Sequence, residues 1–509
     1  MSTRRALAGP FSTALAFACL ALLLASDGDA ARPGPKPLRV EVLGCITGNS
    51  DVAGRRGCVK LAGARAEGDS TGLAGVVAML AGSEGKSLYA VGNGFGILTR
   101  LALGPSPGRI LFGSCFTGNS FIDECANLPG AQANAVQSPL SHPTGAAISP
   151  DGRFLYVTSG EFHDATVARF SRDPDSGELA YVDCLTGDLG AGPSGTGACA
   201  VIPSATKDGY GSGLDEPQGL AIGTDGGHLY VTAGLDQSVT TFARDKASGA
   251  LEFRSCISSS PQAAVCAQVH RNVLDEAAAP LVSADGKFLY TAARRAGTID
   301  TFAVTPTGEL AYRGCFTGVK NGRLPSCRHG KGSAGGTYTL QAPAKIIEAP
   351  DRRFLYVSSS YGSIVVLKRN RANGTLSASS CISGFAGDRG KCALVPRPSR
   401  LATGSPLNGV RSLLLSRNGK TLFAAVRSMD GITKLRRNPR SGALAFVACA
   451  TGDLKQSTAR DGVCATLPGA TKEGVDSGFD KTTELVQGPG RLIYAAASRD
   501  STVSILRPR

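Results

Sequence analysis

Short apolar segments of strand length recur along this chain, separated by polar turns, from about residue 38 to the last residues. The unit that opens at Leu140 runs through Ser149-Pro150-Asp151-Gly152-Arg153-Phe154-Leu155-Tyr156-Val157. It continues through Thr166-Val167-Ala168-Arg169-Phe170 and Leu179-Ala180-Tyr181-Val182-Asp183-Cys184. Four apolar runs stand out, rich in β-branched and aromatic residues and punctuated by the Pro-Asp-Gly turn at 150–152 and the Asp-Ser-Gly turn at 175–177. That pattern predicts four antiparallel strands per unit. No helical periodicity survives outside the first thirty residues.

The register repeats seven times. A large apolar residue (Leu73, Leu140, Leu214, Leu274, Leu340, Leu407, Phe479) precedes an aromatic one (Tyr89, Tyr156, Tyr230, Tyr290, Tyr356, Phe423, Tyr494). The spacing is sixteen in six units and fifteen in the last, where the turn at Gly488-Pro489-Gly490 is one residue shorter. Seven units of four antiparallel strands predict an all-β, seven-bladed β-propeller, with residues 31–509 as one domain. The last unit ends at Thr502–Leu506, its third strand, whereas Leu38–Cys45 matches the fourth-strand segment Leu179–Cys184. The N-terminal strand is therefore expected to complete the last blade and close the ring without a free edge.

The cysteines add a second layer with the same period. Fourteen of the fifteen fall into seven near pairs: Cys45/Cys58, Cys115/Cys125, Cys184/Cys199, Cys256/Cys266, Cys315/Cys327, Cys381/Cys392 and Cys449/Cys464. The members of each pair are ten or more positions apart, no CxxC occurs and the chain has only five histidines, so disulfides are expected rather than zinc. All seven pairs fall between a fourth strand and the next first strand, which predicts disulfide-closed loops studding one face. The remaining cysteine, Cys19, lies in the first thirty residues. That segment reads as a signal peptide: Arg4 and Arg5, an apolar run over Phe11–Ala25, and Gly28-Asp29-Ala30 as the cleavage site. The run is shorter than the roughly 20 residues a membrane span needs. A secreted chain, extracellular or periplasmic, is expected, with no membrane span and as a monomer.

Candidate chemistry converges where each first strand leaves the looped face. The two residues after each repeated Leu or Phe are Ala74-Gly75, Ser141-His142, Asp215-Glu216, Asp275-Glu276, Gln341-Ala342, Asn408-Gly409 and Asp480-Lys481. On one axis these gather carboxylates near a histidine and a lysine, suited to proton transfer or to a hard cation such as Ca2+; no other cofactor is expected. His142, Glu216 and Glu276 are the catalytic candidates; Asp215, Asp275, Asp480 and Lys481 are binding candidates. The competing reading of the Asp and Asn positions is an Asx turn ahead of a strand. The turns between second and third strands add Glu161, His163, Asp164, Asp236, Arg294, Arg295, Arg427 and Arg499. Of these, Arg294, Arg427 and Arg499 suit a carboxylated or polyhydroxylated ligand. His228, His270 and His329 have no convergent partner.

The net charge of +14 is spread along the chain without aromatic interleaving, which argues against nucleic acid and leaves acidic glycans as partners. No Ser-His-Asp order, phosphate loop or HExxH is present, tryptophan is absent, and Asn373-Gly374-Thr375 is a lone glycosylation sequon.

The block Ser149–Val157, with its counterparts Asp285–Tyr290 and Asp351–Tyr356, resembles the YVTN-type repeat of the lactonase-like seven-bladed propellers. That group includes 6-phosphogluconolactonase-type and carboxymuconate-cyclase-like proteins. The resemblance implies a site at the mouth of the axis, with histidine, acid and arginine side chains acting on a lactone, and His142 is the position it points to. Two functions follow as expectations. One is a secreted, disulfide-braced propeller that binds a small molecule, glycan or protein on its looped face. The other is a lactone hydrolase or cycloisomerase using His142 with Glu216 or Glu276.

Overall fold

The computed structural model describes residues 38–508 except 69, 107, 136, 161–164, 193–196, 319–323, 330–339, 401–403 and 458–462. The leader at 1–30, with Cys19, lies outside the described residues. Each repeat forms its own sheet, and the seven first strands neighbour one another in an unbroken ring. Blade 2 is typical, with strands Pro143–Ile148, Phe154–Ser159, Thr166–Arg172 and Leu179–Asp188 in antiparallel order. The second strand is buried along its whole length because blades pack against both of its faces, so it reads as a continuous apolar run. The repeated Leu or Phe is at most 1% exposed in all seven units. Ring closure occurs as expected: Val40–Asn49 pairs antiparallel with Thr502–Pro508, in the sheet that holds Tyr494.

One feature corrects the sequence reading. Each blade has five strands, not four, because the chain after the fourth strand folds back as a short parallel fifth strand on the outer edge.

The second cysteine of each pair sits at the start of that fifth strand. The seven expected disulfides all form, with Cα–Cα distances of 4.6–4.8 Å: Cys45–Cys58, Cys115–Cys125, Cys184–Cys199, Cys256–Cys266, Cys315–Cys327, Cys381–Cys392 and Cys449–Cys464. Cys58, Cys125, Cys199, Cys266, Cys327, Cys392 and Cys464 are all buried, and each immediately precedes the fifth strand of its blade. Each bond lies one residue ahead of the first parallel pair, as Cys184–Cys199 does before Leu185↔Ala200, so it staples the fifth strand to the fourth within the sheet. A two-residue turn cannot join parallel strands, which need a crossover of about a dozen residues. The cysteine separations of 10 to 15 residues match that crossover.

The Pro-Asp-Gly motif proves to be part of a clamp between blades on the face opposite the cysteine crossovers. Between blades 4 and 5 the buried Arg369 reaches back to both oxygens of Asp285 (2.7 Å each), to Glu348 (2.6 Å) and to the Tyr290 hydroxyl (3.0 Å). Tyr290 in turn donates to the Gly374 carbonyl (3.0 Å), in the turn after the third strand of blade 5. Tyr89–Arg172, Tyr156–Arg244 and Tyr356–Arg437 repeat the arrangement. At the other three interfaces Leu103, Val304 and Pro508 stand where the arginine would be.

Candidate functional site

Every first strand leaves the looped face through a residue in the left-handed backbone region. These are Gly75 (φ 62°), His142 (45°), Glu216 (56°), Glu276 (56°), Ala342 (46°), Gly409 (74°) and Lys481 (57°). The carbonyl of each accepts an N–H from the turn after the second strand, at 2.8–3.3 Å. The seven sequence-predicted pairs are thus first a backbone lock, which five non-glycine residues hold against a steric cost of about 1 kcal/mol each. Alanine and lysine share it with histidine and glutamate, so the conformation itself marks architecture.

His142 is half-buried with Ser141 Oγ 3.4 Å from its Nδ1. Glu216 is half-buried, and Glu276 is paired with Arg295 at 2.8 Å. Asp275 lies 4.0 Å from Arg295; burial pushes its carboxyl up, Arg295 pulls it down and Glu276 adds to the rise. Asp215 is buried, and its N–H donates to Asp236 Oδ2 (3.0 Å). Asp236 also accepts from Gly211 (2.7 Å) and Gly213 (2.6 Å), which makes it the brace of that loop. Asp500 does the same in blade 7 for Asp476, Gly478 and Asp480; burial pushes its carboxyl up to about 6 although those amides pull the other way. Asp480 is buried beside Arg499 (3.6 Å), and burial raises its carboxyl. Lys481 donates its backbone N–H to Asp430 (2.9 Å), whose carboxyl burial lifts to about 7. Arg427 donates its N–H to the lock carbonyl of Gly409. Glu161, His163 and Asp164 lie outside the described residues, and His228 pairs loosely with Asp225 (3.5 Å) away from the axis. His270 and His329 are exposed.

Just inside the lock, the first strands enclose a cavity of about 330 Å³ on the axis. Arg294, one of the binding candidates, lines it. Its other charged residues, Lys345, Arg411 and Glu484, were missed. They stand four or five residues after the repeated Leu or Phe, beyond those pairs, and a charge near the start of a first strand was the available signal. Glu484 is tied down: it accepts from Lys345 at 3.3–3.4 Å and from the Ser412 hydroxyl. Burial lowers Arg411 to about 10, helped by Arg294 and Arg427 and opposed by Glu484. Among the described residues neither the Arg294 nor the Arg411 side chain has a hydrogen-bond partner, and Arg294 Nε is buried without one. Asn93, Thr144, Gln218 and Thr483 supply polar groups around them. Three cations facing one carboxylate make the chamber electropositive. Among the described residues no group of three or more His, Cys, Asp or Glu is gathered to hold a metal ion.

A family model described as "Lactonase, 7-bladed beta-propeller" matches residues 216–318, and the resemblance of this chain to the lactonase-like propellers holds. No curated protein matches the sequence at a significant level. Among solved structures, the chain is similar to the periplasmic gluconolactonase of Pseudomonas aeruginosa, at 17% identity over 73% of this chain and 84% of that one, with a TM-score of 0.48. A putative 6-phosphogluconolactonase of Bacteroides uniformis gives 18% identity over 73% and 95%, with a TM-score of 0.37. Hydrazine synthase of Kuenenia stuttgartiensis gives 13% over 85% and 95%, with a TM-score of 0.48.

Proposed function

We propose that the axial cavity binds a small polyhydroxylated carboxylate, and that the protein works as a secreted, disulfide-braced binding propeller. The observation that carries this reading is the pair of guanidinium groups, Arg294 and Arg411, facing the cavity without a protein acceptor among the described residues. A buried cation among cations is unfavourable until an anion arrives, and a carboxylate can engage a guanidinium through two parallel hydrogen bonds. Gln218 and Asn93 are placed to meet hydroxyls. Seven disulfides and the signal-like leader support an extracytoplasmic location.

A second reading, favoured by the match over residues 216–318, is lactone opening at the same mouth. Water would add to the ring carbonyl, the ring C–O bond would break, and a proton would pass to the departing ring oxygen. Arg294 and Arg411 would steady the carbonyl oxygen, and His142 with Glu216 or Glu276 would move the proton.

Titration calorimetry with D-gluconate and with neutral D-sorbitol separates charge recognition from hydroxyl recognition. Gluconate should bind at least about tenfold tighter, and Arg411→Ala should weaken it by about tenfold or more, as for loss of a charged hydrogen bond. Equal binding of the two, or an indifferent Arg411→Ala, overturns the reading. Turnover of glucono-1,5-lactone that falls by about 100-fold in His142→Ala would establish the second reading instead.

A further inference from the structure

The looped face is unevenly charged around the mouth. From residue 310 to residue 429 the chain has only three acids, Glu348, Asp351 and Asp388. Glu348 and Asp351 belong to the clamps on the opposite face, and Asp388 is buried. Residues 389–429 alone carry eight arginines and lysines. Several of these follow a path inward. Arg389 lies in the crossover of blade 5, between the strands Leu376–Phe385 and Ala393–Ser399. Arg397 and Arg400 stand at the looped-face end of that fifth strand, where Ser399 pairs with Phe385. The chain then runs to the first strand of blade 6, Val410–Leu415, whose Arg411 lines the axial cavity. Arg427, in the turn after the second strand of the same blade, stands at the rim, and its charge helps to lower Arg411. The side chains of Arg389, Arg397, Arg400 and Arg427 are exposed and have no hydrogen bond or ion pair among the described residues. Of the acids beside this arc, Glu276 pairs with Arg295 (2.8 Å) and Glu473 with Lys455 (2.6 Å). Arg397 stands out by its backbone. Its φ is 52°, and the same position, two residues after a buried Leu or Val, is Gly63, Gly130 and Gly469 in three other blades, at 70–79°. Glycine adopts that conformation without steric cost and arginine does not, so the fold itself does not ask for arginine there.

We propose that this track binds a linear acidic oligosaccharide, with its terminal uronate in the axial cavity and the following rings over Arg427, Arg400, Arg397 and Arg389. The proposal rests on the axial carboxylate site described above and names its ligand as the end of a polymer rather than a free acid. A polyuronate carries one carboxylate per ring, so successive rings can each meet a guanidinium. Exposed pairs are individually weak, and a row of them gives an affinity that grows with chain length and falls with salt. Asn93, Thr144 and Gln218, the neutral polar groups around the cavity, suit the hydroxyls of a sugar ring better than a phosphodiester.

Titration calorimetry on the full chain compares D-galacturonate, tetragalacturonate, neutral maltotetraose and an oligothymidylate of matching charge. Tetragalacturonate should bind about tenfold tighter than galacturonate, and the gap should narrow at high salt. Maltotetraose should bind more weakly than either acid. Arg397→Gly, which installs the residue of the other blades, should keep the fold, weaken the tetramer several-fold and leave galacturonate unchanged. Arg389→Ala combined with Arg400→Ala should do the same, whereas Arg411→Ala should weaken both acids. A tetramer no tighter than galacturonate, or indifferent to both Arg397→Gly and the double variant, would overturn the proposal. So would a tetramer affinity that survives Arg411→Ala, or tighter binding of the oligothymidylate or of maltotetraose. If gluconate binds as expected above while the tetramer gains nothing over galacturonate, the polymer reading alone falls. If neither gluconate nor galacturonate binds, the axial site falls with it.

Discussion

Removing Arg369 tests whether the clamps hold the ring together. Its side chain is fully buried and joins Asp285 and Tyr290 of the preceding blade and Glu348 of its own into one cluster. In Arg369→Ala the carboxylates of Asp285 and Glu348, 16% and 7% exposed, lose their shared cation. Breaking a buried pair by deleting one partner costs about 3–5 kcal/mol, and partial hydration of Asp285 sets the expectation at about 3 kcal/mol. The pH dependence has a definite sign. Burial alone would push the Asp285 carboxyl up, but the Ser283 hydroxyl and Arg369 outweigh it and hold the carboxyl below its ordinary value. Such a group contributes stability that is present above its unfolded value of about 3.9 and is lost as pH falls through its lower folded value. Without Arg369 part of that lowering is lost, so the variant draws less stability from an ionised Asp285 at neutral pH. The deficit of the variant should be largest at pH 7 and shrink only once pH falls below about 4, for example at about pH 2.5. Urea unfolding of the oxidised protein at the two pH values measures it. A deficit under about 1 kcal/mol, or one of equal size at both pH values, would refute the account. Restoring neutrality with Asp285→Asn and Glu348→Gln in an Arg369→Met background should recover most of the loss.

Asp300 is fully buried, and burial pushes its carboxyl up to about 8 against hydrogen bonds from Thr298 (2.8 Å) and Tyr312 (3.0 Å). A raised acid costs stability as pH climbs from about 4 to its folded value, so Asp300→Asn should flatten the pH profile of thermal unfolding and gain most near pH 8. A gain that is constant with pH would contradict this. At the backbone locks, Ala342→Gly should raise stability by about 0.5–1 kcal/mol, strain relief at φ 46° exceeding the added chain entropy. A loss on calorimetric melting would show that the lock is not strained.

Blade number, ring closure and cysteine pairing could be read from the chain because they rest on burial, and burial repeats the same residue types every blade. The buried tyrosines at 89, 156, 230, 290 and 356 are such markers. The fifth strands were illegible for the same reason. Val59–Arg65 is mostly exposed on an outer edge, so its sequence carries no alternation that separates it from a loop. The pairing of Cys58 with Cys45 could therefore be foreseen, but not that Cys58 opens a strand. At the axis, the residues beside the repeated leucine stand out as acids and a histidine. Position in the fold shows that their backbone makes the lock. The cations that face the cavity lie deeper, where a reading of loop ends does not reach. Lys345 and Glu484 meet across a gap of 139 residues, which no local pattern reveals.

Closure by the N-terminal strand sets the order of events when the chain is made. The strand at Val40–Asn49 is synthesised before the rest of the ring and cannot pair until residues 502–508 exist, more than 450 residues later. Until then one sheet edge waits at each end of a growing stack of blades, in a topology that folds slowly because its decisive contact is so distant in sequence. The cysteine staples answer to a different clock. Each joins positions 10 to 15 residues apart, so oxidation can proceed blade by blade as the chain appears, long before the ring can shut. The disulfides thereby preserve partly built blades through the interval in which nothing else holds the two ends of the molecule together.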